Sequence, residues 1–156
     1  MEYTYHLNAR GMSGRIIKYR VLDQDEVDAE EENGATAAGE NADGRKLRKF
    51  QLKYLLAAMV VAYTAPNQPA NRLPIPERLK ARAGEQTHAD DLGVPDPVAL
   101  KNAVWIPAGN LLVTWKTIFN TKDTEQLKYL FTEHHEISNF ELAMMQGKSQ
   151  PVATGA

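Results

Sequence analysis

The chain has 156 residues, enough for one domain with a buried core and no need of cross-links. Its composition, 43% hydrophobic and 24% charged, is that of an ordinary globular protein, and a net charge of −2 argues against a general attraction to nucleic acid or anionic membranes. The absence of cysteine excludes disulfides, thiolate metal sites and cysteine nucleophiles. The opening MEYTYHLNAR has no basic segment leading into an apolar run, so no secretory signal is expected there. The longest apolar stretch, Leu55 to Tyr63, is far shorter than the ~20 residues of a membrane span.

Residues 2–8 alternate, with Tyr3, Tyr5 and Leu7 on one face, which is the period of a half-buried strand. After the turn residues Gly11 to Gly14, a second alternating run extends from Arg15 to Leu22, and the two predict an antiparallel hairpin. Asp23 to Asp43 holds nine acidic residues and no basic one. Asp23 or Asp25 is a suitable N-cap for a short helix to about Glu32, ended by Asn33-Gly34 and followed by a polar loop to Gly44. The segment 23–44 is therefore expected to be an acidic arm or loop, either solvated or laid against the basic start of the next helix. That helix is predicted over Arg45 to Tyr63, where Leu47, Phe50, Tyr54, Leu55, Ala58, Met59 and Ala62 form one apolar stripe and Pro66 stops the run. Residues 64–96, with five prolines, read as a long crossover carrying one short helix over 77–83. Asp96-Pro97 starts a short helix to about Trp105, interrupted by Pro107. Leu111, Leu112, Trp115, Ile118 and Phe119 mark a further helix, and Asp123 is expected to cap the next, whose apolar face is Leu127, Leu130 and Phe131. Ser138-Asn139-Phe140-Glu141 is a capping box for a last helix ending at Gly147, and residues 149–156 are expected to be a flexible tail. The predicted fold is α+β and mainly α: one globular domain over 1–148, in which an N-terminal β-hairpin is followed by a compact bundle of about five helices.

None of the candidate chemical sites has the geometry its chemistry requires. Glu133-His134-His135-Glu136 places its histidines at adjacent positions, about 100° apart around a helix, whereas ligands on one helix converge at a spacing of three or four. A polar helix end, with imidazoles favoured by the helix dipole, is the simpler reading. His88, Asp90 and Asp91 lie in the long crossover with no orienting partner in the sequence. Gly147-Lys148-Ser149 follows a helix instead of preceding one, so it is no phosphate cradle. The helix pair 124–133 and 138–146 has helix-turn-helix spacing, but its second helix carries no lysine or arginine to meet phosphates or base edges. No catalytic, metal or cofactor residue is therefore assigned. The residues suited to partner binding are Trp105, Trp115, Phe140, Met144 and Met145, with Arg45 and Lys49 from the basic helix start.

Three segments, YRVLDQDEVDAEE at 19–31, LRKFQLKYLLAAMVVAYTAP at 47–66 and TWKTIFNTKDTEQLKYLFTEHHEISNFELAMMQGK at 114–148, run in an order that resembles small tail-assembly and tail-completion proteins of tailed bacteriophages. The resemblance is one of element order over about two thirds of the chain, and the proline-rich stretch 64–96 has no place in it. It implies a viral structural or assembly protein, found in the bacterial host cytoplasm or the virion. Such a protein binds other tail, neck or baseplate subunits, or copies of itself. It uses no cofactor, small-molecule substrate or membrane, and nucleic acid is not its expected partner. The alternative reading is a small helical DNA-associated regulator using the C-terminal helix pair. A third, a hydrolase or metalloenzyme centred on His88 or His134-His135, lacks a ligand set.

Overall fold

The computed structural model describes residues 2–67 and 92–135. The predicted N-terminal hairpin forms from β1 (Glu2–His6) and β2 (Ile16–Arg20), paired antiparallel with Tyr3 opposite Tyr19 and Tyr5 opposite Ile17. These four side chains lie on the face that meets the apolar core, as the alternation requires. Leu7, just past β1, is fully buried.

The acidic segment is a helix for most of its length. α1 (Gln24–Ala38) starts at Asp23, whose carboxylate accepts from the Glu26 amide while the Glu26 carboxylate accepts from the Asp23 amide. Glu26 also bridges to Arg20 on β2; that hydrogen bond, followed by the one from the Asp23 amide, holds its carboxyl down at about 2. The helix does not stop at Asn33-Gly34, and residues 24–38 are neither arm nor loop. Gly34 is buried inside α1 against α2 (Gly44–Met59), where a β-carbon would sit 2.5 Å from the Gln51 α-carbon. Its lack of a side chain is used for helix packing, not for ending the helix. Arg48 on α2 lies 3.6 Å from Glu31, and the Gln51 carboxamide donates to the Glu31 carbonyl. The acidic and basic segments thus form a helical hairpin. Gly34→Ala is expected to destabilise the protein by about 1–3 kcal/mol through overpacking against a backbone that cannot move aside, measured as a lower midpoint of thermal unfolding.

The helix predicted to reach Tyr63 ends four residues earlier. Asp43 caps α2 by accepting from the Lys46 amide, and at Val60 the backbone turns extended (φ −80, ψ 124). Val60–Tyr63 becomes β3 with no loop between helix and strand. A run that is apolar on all sides has no helical period to defend, and β-branched Val60 and Val61 suit a strand buried on both faces. β3 pairs antiparallel with β2, with a bulge at Val61 between the pairs Tyr19–Val60 and Lys18–Ala62.

Asp96 caps α3 (Pro97–Lys101) by accepting from the Ala99 amide, with Pro97 in the first turn as predicted. α3 is shorter than the sequence suggested. The chain then lays Ile106–Pro107 beside β3 as β4, completing a four-stranded antiparallel sheet of order β1-β2-β3-β4. Sequence reading missed β3 and β4. α4 (Leu111–Ile118) follows, then α5 (Thr121–His134). Asn120, not Asp123, is the N-cap of α5; Asp123 is its reciprocal partner three residues on. The architecture is α+β and mainly α, with a hairpin-led sheet and five helices among the described residues. One apolar cluster unites Leu7, Ile17 and Tyr19 with Leu55 and Met59 of α2, Leu111 and Trp115 of α4, and Leu127 and Phe131 of α5. None of the described helices is long and apolar enough to cross a membrane. The predicted helices at 77–83 and 138–146, and the tail at 149–156, lie outside the described residues.

Candidate interaction surface

The residues assigned to partner binding separate once placed in the fold. Trp115 belongs to the core: its ring packs on Phe119 with centroids 4.7 Å apart, and its indole N–H donates to the Thr124 hydroxyl at 2.9 Å. It offers no surface to a partner, because the helical spacing that made it conspicuous is that of a core face. Trp105 is different. It sits half-buried just before β4, with the Lys18 ammonium 4.5 Å from its ring centroid, a cation–π contact from the centre of the sheet. Arg45 and Lys49 lie exposed on α2. Phe140, Met144 and Met145 lie outside the described residues, as do His88, Asp90 and Asp91.

On either side of Trp105 in the sequence the chain exposes large apolar side chains that the sequence alone did not single out. Val94, Val98, Val104, Ile106 and Val113 are all exposed, Val104 at 80% and Val113 at 77%. They come from one stretch of chain: the approach to α3, α3 itself, β4 and the outward face of α4. Val113 was legible in retrospect. It lies off the Leu111–Trp115 stripe, on the outer side of an eight-residue helix. Val104 was hidden by the false extension of the short helix to Trp105, and Ile106 by the missed strand β4. β4 is also the sheet's edge, and with two residues, one a proline, it is a blunt edge that resists pairing with another strand.

The polar groups of the interior hold the fold together. Asp123 is fully buried; one carboxylate oxygen accepts from the Ser13 amide at 3.0 Å and the other from the Asn120 amide at 3.2 Å. Burial pushes its carboxyl above the ordinary value, against the pull of those amides and of Arg15. The Arg15 guanidinium donates to the carbonyls of Ile118 and Thr64, both at 2.9 Å, and the Asn120 carboxamide donates to the Gly11 carbonyl. These bonds tie the loop between β1 and β2 to the α4–α5 corner. Gln126 is also fully buried, with no hydrogen-bond partner for its carboxamide among the described residues.

The histidine pair closes α5. His134 lies against Tyr3 and Tyr19, its Nε2 3.1 Å from the Tyr19 hydroxyl, and His135 stacks on Phe131. Among the described residues no three histidine or carboxylate side chains gather as a metal site would require. Set against family models, curated proteins and solved structures, the chain matches none.

Proposed function

We propose that this chain is a non-enzymatic structural or assembly protein of a tailed bacteriophage, acting by docking onto other tail, neck or baseplate subunits. The observation that carries the docking mechanism is the exposure of Val94, Val98, Val104, Ile106 and Val113 in the stretch of chain that also holds the half-buried Trp105. Exposed apolar side chains and an aromatic anchor are the residue types that interface centres are enriched in. The phage assignment itself rests on the element order of the sequence. Arg45 and Lys49, exposed on α2, add positive charge suited to setting orientation and association rate.

The experiment is capture of purified virion and assembly proteins encoded beside this chain. The wild type is expected to retain at least one of them. Val104→Asp with Ile106→Asp is expected to weaken that capture about tenfold or more, which corresponds to about 1.4 kcal/mol or more at an interface centre, with the circular dichroism spectrum unchanged. A wild type that stays monomeric and captures no virion protein overturns the proposal, as does salt-dependent binding to duplex DNA by the same preparation.

A further inference from the structure

His135 is held on both ring nitrogens, and its two partners fix its protonation state. Nε2 lies 3.0 Å from the backbone nitrogen of Leu22, which has only a proton to give, so Nε2 accepts. Nδ1 lies 2.8 Å from the Phe131 carbonyl, which has only lone pairs, so Nδ1 carries the hydrogen. The ring is therefore neutral and in the Nδ1–H tautomer, stacked on Phe131 at 4.2 Å between centroids. Leu22 is the buried residue between β2 and the Asp23 cap of α1, so this bond joins the end of α5 to the point where the sheet hands over to the helical hairpin. A proton arriving from water at Nε2 takes the lone pair that Leu22 uses and leaves two N–H groups facing each other.

We propose that the end of α5 is a proton-released latch: neutral His135 fastens it to the β2–α1 corner through the Leu22 amide, and protonation of Nε2 opens it. Burial and the neighbouring His134 oppose that protonation, while the Phe131 carbonyl that accepts from Nδ1–H favours it, and burial is the larger influence. On its own helix His134 is the neighbour whose charge acts on it, and a like charge resists a second one. At the corner the Asp23 carboxylate is engaged with the Glu26 amide, and Glu26 with Arg20. Tyr3 and Tyr19 face His134 from the sheet. Burial is the largest influence, and it holds the His135 imidazole below its ordinary 6.5. A histidine depressed in the folded state stabilises that state above the unfolded value, and the contribution is lost as pH falls through the folded value. The latch is thus closed at neutral pH and opens on the acid side of 6.5.

Nitrogen-15 NMR of the imidazole reads the tautomer directly, and amide exchange of Leu22, corrected for intrinsic rate, reads the latch. The expected result is an Nδ1–H tautomer at pH 7.5 and a titration midpoint below 6.5. Protection of Leu22 should fall about tenfold through that midpoint, the worth of one hydrogen bond. His135→Gln, which can still accept from Leu22 but does not titrate, should keep Leu22 protected across the same range. His134→Gln should leave the response of Leu22 in place. An Nε2–H tautomer, a midpoint at or above 6.5, or Leu22 protection that does not change through the titration overturns the latch. The first and third of these are read on the wild type, so they stand even where a variant fails to fold.

Discussion

Asp123→Ala is expected to destabilise the protein by about 2–5 kcal/mol, because it removes the reciprocal half of the α5 capping box and strands the buried Ser13 amide at once. The Ser13 and Asn120 N–H groups both point at this carboxylate, and the side chain is fully buried. Without it the Ser13 amide loses its acceptor in a place that water does not reach freely. Asp123→Asn should cost less than the alanine variant, since its carbonyl oxygen can still accept from the buried Ser13 amide, with its N–H₂ turned to the part-buried Asn120 side, where that donor loses its partner. The pH dependence has a definite sign. Burial raises the Asp123 carboxyl above its ordinary value, so the folded state holds this proton more tightly than the unfolded state. The stability contributed by Asp123 is therefore fully present below the unfolded value and declines as pH rises through the folded one. The Asp123→Ala penalty should accordingly be larger at pH 3.5 than at pH 7. Urea unfolding of wild type and variants at both pH values checks the magnitude and the sign, and an equal penalty at both would contradict the electrostatic account.

Gly14→Ala should be comparably damaging, at about 3 kcal/mol or more, because two costs coincide. Gly14 has φ +83, where a β-carbon is strained, and that β-carbon would overlap the backbone carbonyl of Asn67 just beyond β3. The same residue donates its amide to the Leu7 carbonyl, and its own carbonyl receives the His6 ring, so the turn cannot shift without breaking the hairpin closure. Gly11 provides the comparison. It has φ +88, but an added β-carbon meets only Lys122 Cγ at 3.5 Å. Gly11→Ala should therefore show the conformational cost alone, about 1–2 kcal/mol, and the difference between the two variants measures the close approach to Asn67. Thermal and denaturant unfolding of both proteins tests this, and equal losses would show that the Asn67 contact carries nothing.

What could be read from the sequence followed the strength of local signals. The Tyr3–Tyr5–Leu7 alternation, the Asp96-Pro97 helix start and the Leu127–Leu130–Phe131 face are each carried by a few neighbouring residues, and each took the form expected. The misreadings came where two explanations shared the same residues. Gly34 looks like a helix terminator, yet its role is to admit the backbone of α2, a fact decided by Gln51 seventeen positions away. Val60 and Val61 continue an apolar run, and only pairing with Tyr19 makes them a strand. The interaction surface was partly legible. Trp105 stood out by type, but Trp115 stood out equally and proved to be core. The exposed valines are unremarkable residues whose meaning is their position. The His135 bond to Leu22 and the Asp123 bond to Ser13 each span more than a hundred residues, and no periodicity points to either.

The junction at Val60 has a mechanical consequence. Its amide still donates to the Leu56 carbonyl, as the last turn of α2 requires, while the residue is already paired with Tyr19 in the sheet. A single residue is thus a member of both elements, and no linker separates them. A push on the outer face of the α1–α2 hairpin is carried down α2 into an inner strand, flanked on both sides by β2 and β4. A load applied where Arg45 and Lys49 project should be felt at the edge strand beside Trp105, at the far side of the sheet from β1.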